Sequence, residues 1–141
     1  MVLIDSSALV AMLADEVYRE RVVVAIEQAS QRWITPIVRL ETTMVLSTRL
    51  NINPLSVNAK IGRLLAANDI GTVPITDTIS VAAILAFERY GKGRGHPARL
   101  NMADCLIYAA AKSIDASLLF IGHDFIHTDI RSALDDPRPY G

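Results

Sequence analysis

Three apolar residues that run into an acid, Val2-Leu3-Ile4-Asp5, and then into Ser6-Ser7 and an apolar helical pattern, constrain this chain more than any other stretch. A continuous Val-Leu-Ile run reads as a short buried strand, and Ser6 or Ser7 is the expected cap of the helix behind it. Open α/β sheets gather ligands outside the carboxyl ends of their strands. Asp5 therefore stands where chemistry is commonly placed. Taken alone, it reads more simply as a cap or turn residue, so its meaning depends on whether other acids reach the same edge.

The rest of the chain alternates helical and strand patterns. Ala8 to Leu13 and Val17 to Ala29 read as helices, the second with Val22, Ile26 and Ala29 on one face. Arg32-Trp33-Ile34-Thr35 is a strand candidate, and Thr35-Pro36 opens a helix that runs to about Leu50. In that helix Ile37, Leu40, Met44, Val45 and Thr48 follow the spacing of a buried face, and Glu41 falls in the same stripe. A buried glutamate needs a partner, a proton or a cation, and Arg49 and Arg63 are candidate ion-pair partners.

Asn53-Pro54 repeats the cap-plus-proline start, with Val57, Ile61, Leu64 and Leu65 forming the apolar face. Gly71 to Ile75 is at best a short strand. Thr76 or Asp77 caps a helix in which Ile79, Ala82, Ala83, Ala86, Phe87 and Tyr90 share a face, ended by Gly91. Leu100 to Lys112 is apolar nearly all round, which marks a buried helix. Asp104 is its one charge between Arg99 and Lys112, in the first turn behind the cap candidate Asn101. Ser117 to Ile121 reads as a strand that turns out through Gly122-His123-Asp124, and Phe125 to Ile130 as a final edge strand. Residues 1–134 are expected to form one domain and 135–141 a mobile polar tail.

Composition narrows the function classes. A chain of 141 residues suffices for one domain with a real core, and a net charge of −1 excludes wholesale nucleic-acid binding by a basic surface. Basic character is local, in Gly91-Lys92-Gly93-Arg94-Gly95-His96-Pro97-Ala98-Arg99, where glycines permit close backbone approach and cations suit phosphates. That loop also reads as a solvated linker, and it lacks the spacing of a P-loop. A single cysteine, Cys105, fits a reducing compartment. The opening residues lack a secretory pattern and no apolar run is long enough to span a bilayer, so a soluble cytoplasmic protein is expected.

Asp5, Glu41, Asp104 and Asp124 thus fall at strand ends or on otherwise apolar helix faces, which right-handed crossovers would bring to one sheet edge. Carboxylates gathered there repel by about 4 kcal/mol per pair at about 4 Å and an effective dielectric of about 20. Raised pKa values or divalent cations relieve this. An all-oxygen acidic set selects Mg²⁺, with Mn²⁺ as the alternative, and suits phosphodiester hydrolysis.

On these residues the sequence resembles the PIN-domain family, and within it the VapC-type ribonuclease toxins of toxin–antitoxin pairs. The resemblance lies in Ile4-Asp5-Ser6-Ser7-Ala8-Leu9, Glu41, Leu100 to Leu106, Leu119 to Phe125 and Thr128-Asp129-Ile130, and it includes the 91–98 loop. It implies a three-layer α/β/α sandwich around a short, mainly parallel sheet, Mg²⁺-dependent RNA cleavage, a cognate antitoxin and a homodimer. It implies Asp5 and Asp104 as main metal ligands, completed by Glu41 and Asp124, with Ser6 and Thr128 in support. Lys92, Arg94 and Arg99 are candidates to steer the RNA backbone. Ala103, where relatives often carry glycine, and His123 before Asp124 depart from the pattern.

Other readings compete less well. His123-Asp124-Phe125-Ile126-His127 echoes a zinc motif, but that motif needs a helix and a glutamate. Cys105 as a nucleophile would sit in a buried apolar helix with no nearby histidine in sequence. An aspartyl phosphatase lacks its second acid because Ser7 occupies that position. A catalytically inactive module that binds RNA or protein is the remaining alternative, and loss of one of the four acids would be its usual mark.

Overall fold

The computed structural model describes residues 1–139. Its elements run β1 (Val2–Ile4), α1 (Ser6–Leu13), α2 (Arg19–Gln28), β2 (Arg32–Ile34), α3 (Pro36–Leu50), α4 (Pro54–Ala67), β3 (Ile70–Thr72), α5 (Asp77–Tyr90), α6 (Met102–Ser113) and β4 (Ser117–Leu119). The four strands form one parallel sheet in the order β3-β2-β1-β4. All three residues of β1 are buried. Successive strand residues face opposite sides, so both faces of the sheet are covered by helices, as parallel sheets require. This is the three-layer α/β arrangement.

Leu3, Ile4, Leu9, Ile34, Leu118 and Leu119 are fully buried at its centre. Each such side chain contributes about 1.5–3 kcal/mol of transfer free energy. Gly71 in β3 shows how closely the outer pair packs: a Cβ there would sit 2.7 Å from the Trp33 ring. Among the described residues, no helix is long and apolar enough to cross a membrane.

Several local expectations are corrected. Helix α1 is capped by Asp5 rather than by Ser6 or Ser7: the Asp5 carboxylate accepts the Ser7 N–H at 3.1 Å. The buried stripe of α3 is Val38, Thr42 and Leu46, while Leu40 and Met44 are 55% and 60% exposed. Two apolar stripes a fraction of a turn apart compete on this helix, and spacing alone does not rank them. Glu41 then lies beside the buried stripe and is half-buried.

On α5, Phe87 is exposed, so the buried face is Ile79, Ala83, Ala86 and Tyr90. The stretch expected as a final edge strand, Phe125 to Ile130, forms consecutive turns. Its Thr128 N–H and hydroxyl both donate to the Phe125 carbonyl, at 3.1 and 2.7 Å. Just beyond it, Ser132 makes an isolated bridge to Leu118 of the sheet. The segment expected to be a mobile tail docks at Pro137, which is buried and accepts the Gly122 N–H at 2.8 Å; Tyr140 and Gly141 lie outside the described residues.

Candidate active site

The site begins where β1 and β4 end together. Ile4 pairs with Leu119, and the next backbone N–H, that of Asp5, donates to the Leu119 carbonyl at 2.9 Å. The chain then enters α1, and its first turn orients the Asp5 carboxylate. Ser7 Oγ donates to Asp5 Oδ2 at 2.6 Å, and the same Oγ accepts the Ile121 N–H at 3.0 Å. Ser7 thus fixes Asp5 to the segment leaving β4. Beside it, Ser6 Oγ donates to Glu41 Oε1 at 2.5 Å, which ties α1 to α3.

Helix α6 delivers Asp104. Asn101 accepts the Asp104 N–H at 2.9 Å, and the Asp104 carboxylate accepts the Asn101 N–H at 3.1 Å, a reciprocal capping box that locks the side chain at the helix start. Asp124 arrives on the loop after β4. That loop turns at Gly122, whose φ of 127° is open only to glycine, and it is anchored by the buried Phe125 ring stacked edge-on to Phe120 at 5.2 Å.

These elements enclose a cleft of about 260 Å³ lined by Asp5, Ser6, Ser7, Glu41, Asn101, Asp104 and Asp124, together with Val10, Glu16, Val45, Arg49 and Ile121. Asp5 and Asp104 are buried, at 6% and 7% exposure, so their ionised forms lose most of their hydration. Burial pushes Asp5 up to about 6, opposed by the Ser7 hydrogen bonds and helped by the charge of Glu41. Burial likewise pushes Asp104 up to about 7, opposed by the Asn101 hydrogen bond and helped by Asp124, Asp5 and Glu41. Asp104 therefore senses the charges of the other three acids.

A larger groove of about 1010 Å³ between α2 and residues 134–139 lacks this convergence. Its Asp136 is exposed and is held by Arg138 at 2.8 Å.

The donor set in the small cleft is all carboxylate and hydroxyl oxygen, which suits a hard divalent cation rather than zinc. Among the described residues no three His, Cys, Asp or Glu side chains converge tightly enough to hold an ion as they stand. The fit is one of donor chemistry: a cation would offset the burial, and the lesser mutual repulsion, that raise Asp5 and Asp104.

Thr128, Lys92, Arg94 and Arg99 are not brought to the cleft wall. Besides its bond to Phe125, the Thr128 hydroxyl accepts the Ile130 N–H at 3.3 Å, so it shapes the loop that carries Asp124. Arg94 stacks over the Phe87 ring at 5.6 Å, and Lys92 borders a neighbouring apolar hollow that shares Asn101 with the cleft. Sequence reasoning missed Ser7 as the orienter of Asp5, and it missed Glu16 and Arg49 as cleft residues. Of the two candidate partners of Glu41, Arg49 instead pairs with Glu16 at 2.9 Å. The Asn101-x-x-Asp104 spacing does carry a readable capping-box signal. The Glu16–Arg49 pairing, 33 residues apart, carries no local one.

A parallel sheet with carboxylates gathered at its carboxyl edge defines an α/β protein with an acidic, oxygen-lined cleft. The family described as PIN domain matches residues 2–131. The chain belongs to the PIN-domain family, in its VapC-type branch. Ribonuclease VapC30 of Mycobacterium tuberculosis is 42% identical over 127 residues, covering 90% of this chain and 94% of that protein. Ribonuclease VapC28 of the same organism is 33% identical over 133 residues, covering 94% and 98%. The crystal structure of VapC20 from Mycobacterium tuberculosis, a toxin that cleaves the sarcin–ricin loop, superposes with a TM-score of 0.71 at 12% identity. That match covers 93% of this chain and 99% of that one, and it speaks to the fold alone.

Proposed function

We propose that this protein is a Mg²⁺-dependent endoribonuclease, the toxin of a toxin–antitoxin pair, acting at a site made of Asp5, Glu41, Asp104 and Asp124. The observation that carries the reading is the meeting of these four acids in one cleft at the ends of β1 and β4, with two of them buried and raised in pKa. VapC ribonucleases related over nearly the whole chain support the substrate class.

Bound Mg²⁺, or Mn²⁺ in its place, would supply Lewis acidity and lower the pKa of a coordinated water. Asp5 and Asp104 are its main candidate ligands, with Glu41 and Asp124 closing the set directly or through water. The chain's own part is to hold these oxygens in place. Ser7 orients Asp5, Ser6 orients Glu41 through a short hydrogen bond, and the Asn101 backbone orients Asp104. The low-dielectric walls strengthen every charge interaction inside.

Lys92, Arg94 and Arg99, set outside the cleft wall, fit a role in drawing the RNA backbone toward it. An antitoxin is the proposed partner in a cytoplasmic setting. A homodimer is proposed as well, and the exposed apolar side chains of α5, Val81, Ile84 and Leu85, support self-association.

The test is cleavage of an RNA panel by purified protein with Mg²⁺ and with EDTA, and by the Asp5→Asn and Asp104→Asn variants. Cleavage should require the metal and both acids. Undiminished cleavage by either variant would remove that residue from the site. No cleavage of any RNA by the unmodified protein would favour a binding-only module.

A further inference from the structure

The cleft has one cation in its wall among the described residues, and it is not on the basic loop. Arg49 lies in the last turn of α3, and Glu41, Val45 and Arg49, spaced by four, all line the cleft along one face of that helix. Eight residues of helix place Arg49 about 12 Å along the axis from Glu41. That is too far for it to serve the reacting phosphate and suits a phosphate further along the strand.

Its position depends on a second element as well. After α1 the chain reverses at Asp15, with φ at 52°, and the Glu16 N–H donates to the Ala11 carbonyl at 3.0 Å. This turn sets Glu16 on the cleft wall, where Oε1 accepts from Arg49 NH1 at 2.9 Å. Glu16 occupies one arm of a guanidinium that has five N–H donors in a fixed fork. The Arg49 side chain is 56% exposed, so its remaining donors stay within reach of a ligand.

An acidic cleft that must admit a polyanion needs a counter-charge at its mouth, and Arg49 is the side chain in place to provide it. We propose that Arg49 binds a backbone phosphate of single-stranded RNA neighbouring the scissile one, using the donors that Glu16 leaves free. This rests on the ribonuclease reading above.

The experiment measures binding of a short fluorescein-labelled single-stranded RNA of mixed sequence across a salt series, with Mn²⁺ binding followed separately by calorimetry. One phosphate contact in a single strand contributes about 0.7 to the slope of log affinity against log salt. Arg49→Gln is expected to weaken RNA binding several-fold and to lower the slope by about 0.7, with Mn²⁺ affinity preserved. Arg49→Lys should keep the slope. Glu16→Gln, which breaks the same ion pair but keeps the cation, should also keep it.

An unchanged slope in Arg49→Gln overturns the inference while leaving the ribonuclease reading intact. A Glu16→Gln variant that loses the slope as Arg49→Gln does also overturns it, because the pair would then be a structural clasp. If the unmodified protein binds neither RNA nor Mn²⁺, the ribonuclease reading fails and this inference fails with it.

Discussion

Asp5 and Asp104 reach the cleft on helix caps and Asp124 reaches it on a loop, and they are held by different means. Asp5 caps α1 through the Ser7 N–H, and Asp104 closes a capping box with Asn101, so each carboxylate is fixed by bonds within three residues of itself. Asp124 is exposed on a loop of turns with no such local clamp. That loop is pinned at its far end by Asp129, which accepts a hydrogen bond from the Tyr108 hydroxyl and an ion pair from Lys112 at 3.2 Å, with Arg89 at 3.9 Å. Tyr108 lies one turn beyond Asp104 on α6, so a single helix carries one acid and tethers the loop of another. Burial among these contacts, the Asp129 hydrogen bond and the Asp129 charge raise the Tyr108 phenol, and that same hydrogen bond holds Asp129 below the usual carboxylate range. Two of the acids are thus set by local caps, and the loop of a third by a long-range tether.

The sharpest way to break this comparison is to remove charge from the capped side while keeping the caps. Asparagine caps a helix about as well as aspartate. Asp5→Asn and Asp104→Asn should therefore lose cleavage by at least about a hundredfold, since even residues that support a metal ligand cost about 10–100-fold. In metal-free buffer the same variants should gain stability, by a few kcal/mol at neutral pH, as about 1.4 kcal/mol attaches to each unit of pKa shift. Asp5→Ala should fall below Asp5→Asn in stability by about 0.5–2 kcal/mol, because it also loses the cap. Thermal melts paired with cleavage assays read both effects. A variant that loses stability along with activity would mark its aspartate as structural.

The pH dependence follows from the same burial. Asp5 and Asp104 rise from 3.8 to about 6 and about 7. A carboxyl raised by folding favours the protonated native state. Its contribution is therefore full below 3.8 and is lost as pH rises through about 7. Metal-free protein should lose a few kcal/mol of stability across that window, and Mg²⁺ should restore much of it by binding the native state. A melting temperature flat across the window, once the other titrating groups are matched in the Asp5→Asn/Asp104→Asn double variant, contradicts this.

The tethered side should give the smallest response. Tyr108→Phe keeps the ring that packs edge-on against Tyr90 at 5.6 Å but drops the bond to Asp129. It should cost about 1 kcal/mol of stability and lower cleavage by about tenfold. Equal cleavage at reduced stability would show that the tether serves the fold and not Asp124.

This division also decides what could be read from the sequence. The strand that ends in Asp5, the Asn101-x-x-Asp104 cap and the strand before Asp124 are all local patterns, and each lies where expected. The buried face of α3 is not legible in the sequence, because the spacing of the exposed Leu40 and Met44 matches a core stripe as well as that of Val38, Thr42 and Leu46 does. The turns of 125–130 resemble an edge strand in sequence because the run is short and apolar with polar breaks. Phe125 is buried by packing on Phe120, a contact that involves no strand pairing. The Tyr108–Asp129 and Glu16–Arg49 pairs join residues 21 and 33 apart, and only the folded chain brings them together.

The central claim is that the four acids act as one divalent-cation site. Calorimetric titration of the protein with Mn²⁺ near pH 7, repeated in buffers of different ionisation enthalpy, tests it most directly. Asp104, raised to about 7, holds part of a proton there that a cation must displace, and Asp5, raised to about 6, adds little. Saturable binding with proton release is predicted, weakened at least about tenfold in Asp104→Asn. Mn²⁺ binding that releases no protons and is untouched by Asp104→Asn would place any bound cation elsewhere and contradict the account.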